Sequence, residues 1–154
     1  MIDFEKSERA KKAMDLFKQG YNCCQAVTLA FDDKFGDNTD IDMVAKMTSS
    51  FGGGIGGMRE VCGAVNGMAA VFGILYGHKI PENIEEKKKH YGRIQKAAEM
   101  FKEENGSIIC RELLNMSKNE VKNEPSLRTA EYYKKRPCVQ LVGIAAAIIE
   151  NCMD

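Results

Sequence analysis

Apolar residues recur at helical spacing along almost the whole chain. Ala10, Ala13, Met14 and Phe17 fall on one face of a first helix, and Gly20 supplies its stop. Asn22, with Gln25 three residues on, reads as a capping box. It opens a second helix whose inner face is Val27, Ala30 and Phe31 and which ends near Gly36. Thr39 with Asp42 marks a third start, followed by Met43, Val44 and Met47. A fourth helix is predicted from near Glu60 to about Tyr76. Pro81 suits the first position of a fifth, with Glu82, Glu85 and Glu86 near its positive end. The core stripe of that helix is Ile84, Tyr91, Ile94, Ala98 and Phe101, and Asn105-Gly106 ends it.

Ser107 is placed to cap a short helix carrying Cys110, Leu113 and Leu114. The polar run from Asn115 to about Arg128 reads as a loop or weak helix, and Pro137 opens a last helix to about Glu150. No convincing β-alternation and no internal repeat is present. The expectation is an all-α fold, with residues 1–154 as a single helical domain. It would be a bundle of about five to seven helices, with a glycine-rich loop before a central helix.

Composition narrows the partners. Lys+Arg and Asp+Glu both number 22, so no basic field exists to attract phosphate, and nucleic acid is not expected. The N-terminal "MIDFEKSERAKKAMDLFKQG" carries charges where a signal peptide needs an apolar run. The longest apolar tract, "CVQLVGIAAAII", is too short for the ~20 residues of a spanning helix, so no membrane span is expected. A cytoplasmic location follows as an expectation, and there cysteines serve metal binding, catalysis or redox sensing more often than permanent disulfides.

The six cysteines fall in a pattern. Cys23 and Cys24 follow the Asn22 cap, Cys62 lies in the first turn of the glycine-rich helix, Cys110 follows the Ser107 cap and Cys138 follows Pro137. A helix start has unpaired N–H groups and about half a positive charge, which favour the thiolate, the nucleophilic and metal-ligating form. Arg59 precedes Cys62, Arg111 follows Cys110, and Lys134, Lys135 and Arg136 precede Cys138. Cys152 has no such setting. The competing reading is a set of inert, buried thiols acting as small hydrophobes. No C-x-x-C pair occurs, so any site must be assembled by the fold.

"FGGGIGGMREVCGAVNGMAAVFGILYG", from Phe51 to Gly77, holds nine of the fourteen glycines. Gly52, Gly54 and Gly57 spell G-x-G-x-x-G, yet "MTSS" before them reads as a helix end and no acidic residue follows at the required distance. Within the helix, Gly63, Gly67, Ala70 and Gly77 mark a face for close backbone approach, with Met68, Val71, Phe72 and Leu75 filling the core around it. In the loop, Gly52, Gly53, Gly54, Gly56 and Gly57 can adopt positive φ and form an anion- or cofactor-binding nest. His78 and His90, the only histidines, are read as surface residues, "EEKKKH" as a solvated face, and the methionines as core filling.

"VCGAVNG" resembles the CGAxxG element of the bacterial C_GCAxxG_C_C family, described as redox-active proteins with four characteristic cysteines. "GYNCCQAV", "FGGGIGG", "CRELL" and "RPCVQLV" are similar to that family's other segments, so the resemblance covers about residues 15–150. It implies that the four functional cysteines are Cys23, Cys62, Cys110 and Cys138. Cys23 is taken over Cys24 because it directly follows Asn22, as in the family's Asn-Cys-x-Gln pattern; Cys24 and Cys152 are extras. A related segment in an iron–sulfur-containing cytochrome keeps a cluster among the expectations.

Three functions stand at this point. One is dithiol/disulfide redox chemistry, with a redox partner or small-molecule oxidant or reductant. Another is an iron–sulfur cluster or zinc held by the same Cys23, Cys62, Cys110 and Cys138. The third is a helical interaction protein with inert thiols and no cofactor. A homo-oligomer is compatible with each.

Overall fold

The computed structural model describes residues 1–117, 121 and 123–153. Among them the chain forms eight α-helices: α1 (Glu8–Lys18), α2 (Cys23–Leu29), α3 (Ile41–Thr48), α4 (Gly63–Tyr76), α5 (Ile84–Asn105), α6 (Cys110–Leu113), α7 (Ala130–Lys135) and α8 (Cys138–Cys152). Short 3₁₀ turns at Phe4–Lys6, Asp32–Lys34 and Ser49–Phe51 complete them. The class is all-α, as the periodicity predicts. The only extended pairing among the described residues is an isolated antiparallel bridge between Val61 and Ile109.

Local chemistry sets the ends. Ser7 accepts from the Ala10 amide at the start of α1, and Asn22 and Gln25 make the reciprocal capping box that opens α2. Two starts fall later than the sequence suggests. Asp40, not Thr39, caps α3, because the Thr39 hydroxyl is engaged by the Phe35 carbonyl. Asn83, a better side-chain acceptor than Pro81 can be, caps α5 through the Glu86 amide. Gly106 stops α5 at φ 89°, where a left-handed residue closes the last turn.

α2 ends seven residues short of Gly36. The Arg9 guanidinium takes the Ala30 carbonyl at 2.8 Å and pairs with Asp33, so that carbonyl is unavailable to a continuing helix. Phe31 is thereby turned fully inward, beneath Arg9. α7 lies in a stretch that carries no strong apolar period; Thr129 caps it through the Tyr132 amide. The loop read from Asn115 to Arg128 is irregular where described, and residues 118–120 and 122 lie outside the described residues.

One hydrophobic cluster joins the helices, built on Phe17, Phe31, Met68, Phe72, Phe101, Ile148 and Ile149. α1 packs on α8 and α2, while α4 is held between α2, α8 and α5. Gly67 explains the α2–α4 approach: a Cβ there would lie 2.7 Å from Val27 Cβ and 3.1 Å from the Cys24 carbonyl oxygen. Gly63 serves the same face, but Gly77 meets only its own helix. The α5 stripe is corrected too. Ala97 and Phe101 are buried, whereas Ile84 and Tyr91 are more than half exposed, because only the second half of this long helix lies against the core. Met43 and Met47 on α3 are likewise exposed, the short helix burying only Val44 and Thr48. Among the described residues no helix is long and apolar enough to cross a membrane.

Candidate functional site

A cavity of about 340 Å³ opens where four helix starts meet, and Cys23, Cys62, Cys110 and Cys138 all line it. Cys23, Cys110 and Cys138 are the first residues of α2, α6 and α8, and Cys62 is the residue before α4. A fourth helix starting at Glu60 is not formed. Residues 59–62 instead pair with 108–111 around a single antiparallel bridge: the Cys62 amide donates to the Ile108 carbonyl at 2.8 Å, and the Cys110 amide to the Glu60 carbonyl at 2.6 Å. Two cysteines 48 positions apart are thus fixed side by side by backbone alone. Ser107 does not cap α6 from three residues away. Its hydroxyl accepts from the Ile109 amide and donates to Glu112, steering the turn that delivers Cys110.

The pair at the start of α2 divides. Cys23 faces the cavity, and its Sγ lies 2.9 Å from where a Cβ on Gly63 would be. Cys24 is fully buried, with its sulfur 4.0 Å from the Thr28 hydroxyl. Cys152 sits at the far end of α8, 3.6 Å from the Met100 sulfur, away from the cavity.

The glycine loop walls the cavity from one side. Gly53, Gly54, Ile55, Gly56 and Gly57 all have φ between 55° and 77°, a left-handed run that side chains other than glycine oppose by about 1–2 kcal/mol each. Ile55, and Arg59 at φ 61°, carry that strain. The nest expectation is altered in two ways. The amides of Gly56, Gly57, Met58, Arg59 and Glu60 close on the carbonyls of Ser50, Gly52, Ile55, Gly53 and Gly54, so they are spent inside the loop. Gly52, Gly53, Gly56 and Gly57 line the cavity, but Gly54 does not; it is buried against the backbone of Arg59 and Glu60. Gly52 packs on the Asn22 side chain, whose amide donates to the Ser49 carbonyl, so the loop also braces the cap before Cys23.

Burial dominates the electrostatics of the thiols. It pushes Cys62 well up, with the neighbouring Cys23, Cys110 and Cys138 sulfurs adding to the effect and the Ala64 amide opposing it. Cys138 is pushed up to about 12 by burial and by Cys23, against the pull of Arg136 and a Tyr132 hydrogen bond. Cys110 is also raised by burial, while Arg59, donating from Nη1 at 3.7 Å, holds it down. The helix-start effect therefore loses to desolvation at these three positions, as low-dielectric surroundings favour the neutral thiol. The Cys23 sulfur adds to the rise at each of the three.

The cations are redistributed relative to their sequence neighbours. Arg59 serves Cys110 and not Cys62, and Arg111 pairs with Glu60 and the Arg59 carbonyl instead of a sulfur. Lys135 is drawn off to Glu131, leaving Arg136 at the cavity. Two residues escaped the sequence reading. Arg128 donates to the Phe17 and Tyr21 carbonyls and stacks over Phe17 at 3.9 Å, and Tyr132 lies 5.3 Å from both Arg128 and Arg136. Their signal was faint: an arginine at the end of a polar run, and a tyrosine six positions before a cysteine. His78 and His90 do not line the cavity; they are half-buried and stack edge-on at 6.2 Å. Among the described residues no three His, Cys, Asp or Glu side chains are gathered closely enough to hold a metal ion.

An uncharacterized protein of Archaeoglobus fulgidus is 26% identical over 151 residues, covering 94% of this chain and 93% of its own. No solved structure matches the chain. Residues 21–152 match the C_GCAxxG_C_C family, which carries the description "Putative redox-active protein", and the chain belongs to that family.

Proposed function

We propose that the cavity is a dithiol/disulfide exchange centre in which Cys23 attacks and Cys62 resolves. The observation that carries this reading is the meeting of four cysteines from distant parts of the chain in one cavity. Cys23 is half-buried, and its sulfur raises each of the other three thiols, which burial keeps protonated. Cys62 is the partner because Cys23 Sγ packs on Gly63, the next residue along. In the first step the Cys23 thiolate displaces one sulfur of a substrate disulfide, forming a mixed disulfide and releasing one thiolate. Cys62, losing its proton to the departing sulfur, then attacks Cys23 Sγ and releases the second. Two thiols of the protein become one disulfide, and the substrate disulfide becomes two thiols. A separate dithiol reductant restores the centre.

A Cys₄ centre would need all four sulfurs within about 2.3 Å of one ion, and among the described residues no three candidate ligands are gathered that closely. Reduced protein treated with 4,4′-dithiodipyridine should release a thiopyridone for each thiol consumed, without unfolding. Peptide mapping should then find a Cys23–Cys62 bridge. Cys23→Ser should abolish the reaction. Anaerobically purified protein carrying stoichiometric iron and sulfide, or zinc, on these cysteines would replace the proposal with a metal centre.

A further inference from the structure

Three guanidinium groups, Arg59, Arg128 and Arg136, line the cysteine cavity, and among the described residues Glu124 is the only carboxylate that does. Even with one thiolate formed, positive charge is left over. Among the described residues none of the three arginines has a carboxylate within ion-pair distance. Arg128 is committed to the Phe17 and Tyr21 carbonyls and contributes charge rather than free donors. Arg59 differs: its Nη1 reaches Cys110, but its Nε is buried without a hydrogen-bond partner. A buried, unpaired donor on a charged group costs more than an ordinary hydrogen bond returns. The Arg136 guanidinium makes a long hydrogen bond, 3.4 Å, to the Ser126 hydroxyl and lies over the Tyr132 ring at 5.3 Å.

We infer that the disulfide exchanged at this site is a small anionic one, whose carboxylate or comparable oxyanion is held by Arg59 and Arg136; this rests on the dithiol chemistry proposed above. The planar fork of a guanidinium matches a carboxylate in two parallel bonds. The cavity volume, about 340 Å³, is that of a small-molecule site. The anion takes no part in the electron count. It is a handle that sets the substrate's S–S bond against Cys23, and the exchange itself is unchanged.

Two disulfide reagents separate the handle from the chemistry. 5,5′-Dithiobis(2-nitrobenzoate) carries carboxylates, and 4,4′-dithiodipyridine is uncharged near neutral pH. The ratio of their rates with the native reduced protein, divided by the same ratio for 2-mercaptoethanol, should exceed one by about tenfold. Added salt should lower it, because screening weakens partly exposed charges. Arg59→Asn, which keeps the left-handed backbone accessible, and Arg136→Gln, which leaves the glycine loop untouched, should each bring the ratio most of the way to one. A native ratio equal to that of 2-mercaptoethanol overturns the inference. So does an equal slowing with both reagents in both variants, which would mean that the arginines act on the thiolate alone. If dithiodipyridine reacts and bridges the cysteines while the ratio is unremarkable, the dithiol reading stands and only the anionic substrate falls. If neither reagent reacts with folded protein, both fall.

Discussion

Cys23 and Cys24 are adjacent, yet the roughly 100° of rotation between neighbouring helical residues gives them different environments. Cys24 is sealed beneath α2, and burial pushes its thiol from an ordinary 9.0 to about 12. Such a group is neutral in the folded protein over a range where the unfolded chain ionises. Its stabilising contribution is therefore intact below about pH 9 and is lost as pH rises toward about 12. Between those limits stability should fall by up to about 1.4 kcal/mol per pH unit for this thiol. Urea midpoints of wild type and Cys24→Ala, measured across this window, test it: the variant should show the shallower decline. Parallel curves would mean that Cys24 ionises without opening the fold. The same geometry predicts that Cys24 resists alkylation at neutral pH while Cys23 reacts. At Cys138 the Tyr132 hydrogen bond works against burial, so Tyr132→Phe should slow alkylation of Cys138 at a given pH, read by mass spectrometry of the α8 peptide.

On the scale of the element, the glycines of one segment serve two different ends, and alanine distinguishes them. At Gly67 the helix would gain about 1 kcal/mol of propensity. The added methyl, however, would press on Val27 Cβ at 2.7 Å and on a backbone carbonyl, neither of which can swing aside. Overpacking of this kind costs about 1–3 kcal/mol, so Gly67→Ala should melt lower than wild type. At Gly54 the obstacle is backbone: φ is 72°, and a Cβ would sit 2.5 Å from the Glu60 amide nitrogen. Relief must shift Arg59 and Glu60, the residues whose carbonyls receive the Arg111 and Cys110 amides. Gly56 has a similar φ but open space around it. Gly54→Ala should therefore lose both stability and dithiodipyridine reactivity, while Gly56→Ala loses about 1 kcal/mol of stability and keeps its reactivity. Equal effects would show that φ alone governs the loop. This contrast also marks what the sequence could reveal. Helices whose caps are side chains, such as Asn22 with Gln25, were legible, as was the close-packing role of Gly67. The pairing of 59–62 with 108–111 was not, since a single β-bridge leaves no period to read. Arg136 beside Cys138 was legible, but the role of Arg59 was not, because it serves a cysteine 51 positions away in place of its near neighbour Cys62.

For the whole molecule, the cavity is the place where distant parts of the chain meet at the edge of the core, with Phe17, Cys62 and Leu141 belonging to both. α2, the stretch before α4, α6 and α8 each deliver one sulfur, and the loop between α6 and α7 contributes Glu124 and Arg128 at the rim. Redox state should then be felt globally. A Cys23–Cys62 bridge would close a loop of about 40 residues in the unfolded chain, which by chain entropy is worth about 4 kcal/mol of stability. Geometric strain in the folded state would subtract from this. The oxidised protein is thus expected to unfold at a higher urea concentration than the reduced protein, with the denaturant slope slightly reduced because the cross-linked unfolded chain exposes less surface. Cys62→Ser should remove the difference, whereas Cys152→Ser, far from the cavity, should keep it. An oxidised form that is less stable than the reduced one would indicate that bridging pulls α2 from its packing on Gly63 and Gly67. The bridge would then have to be assigned to another pair among the four cysteines.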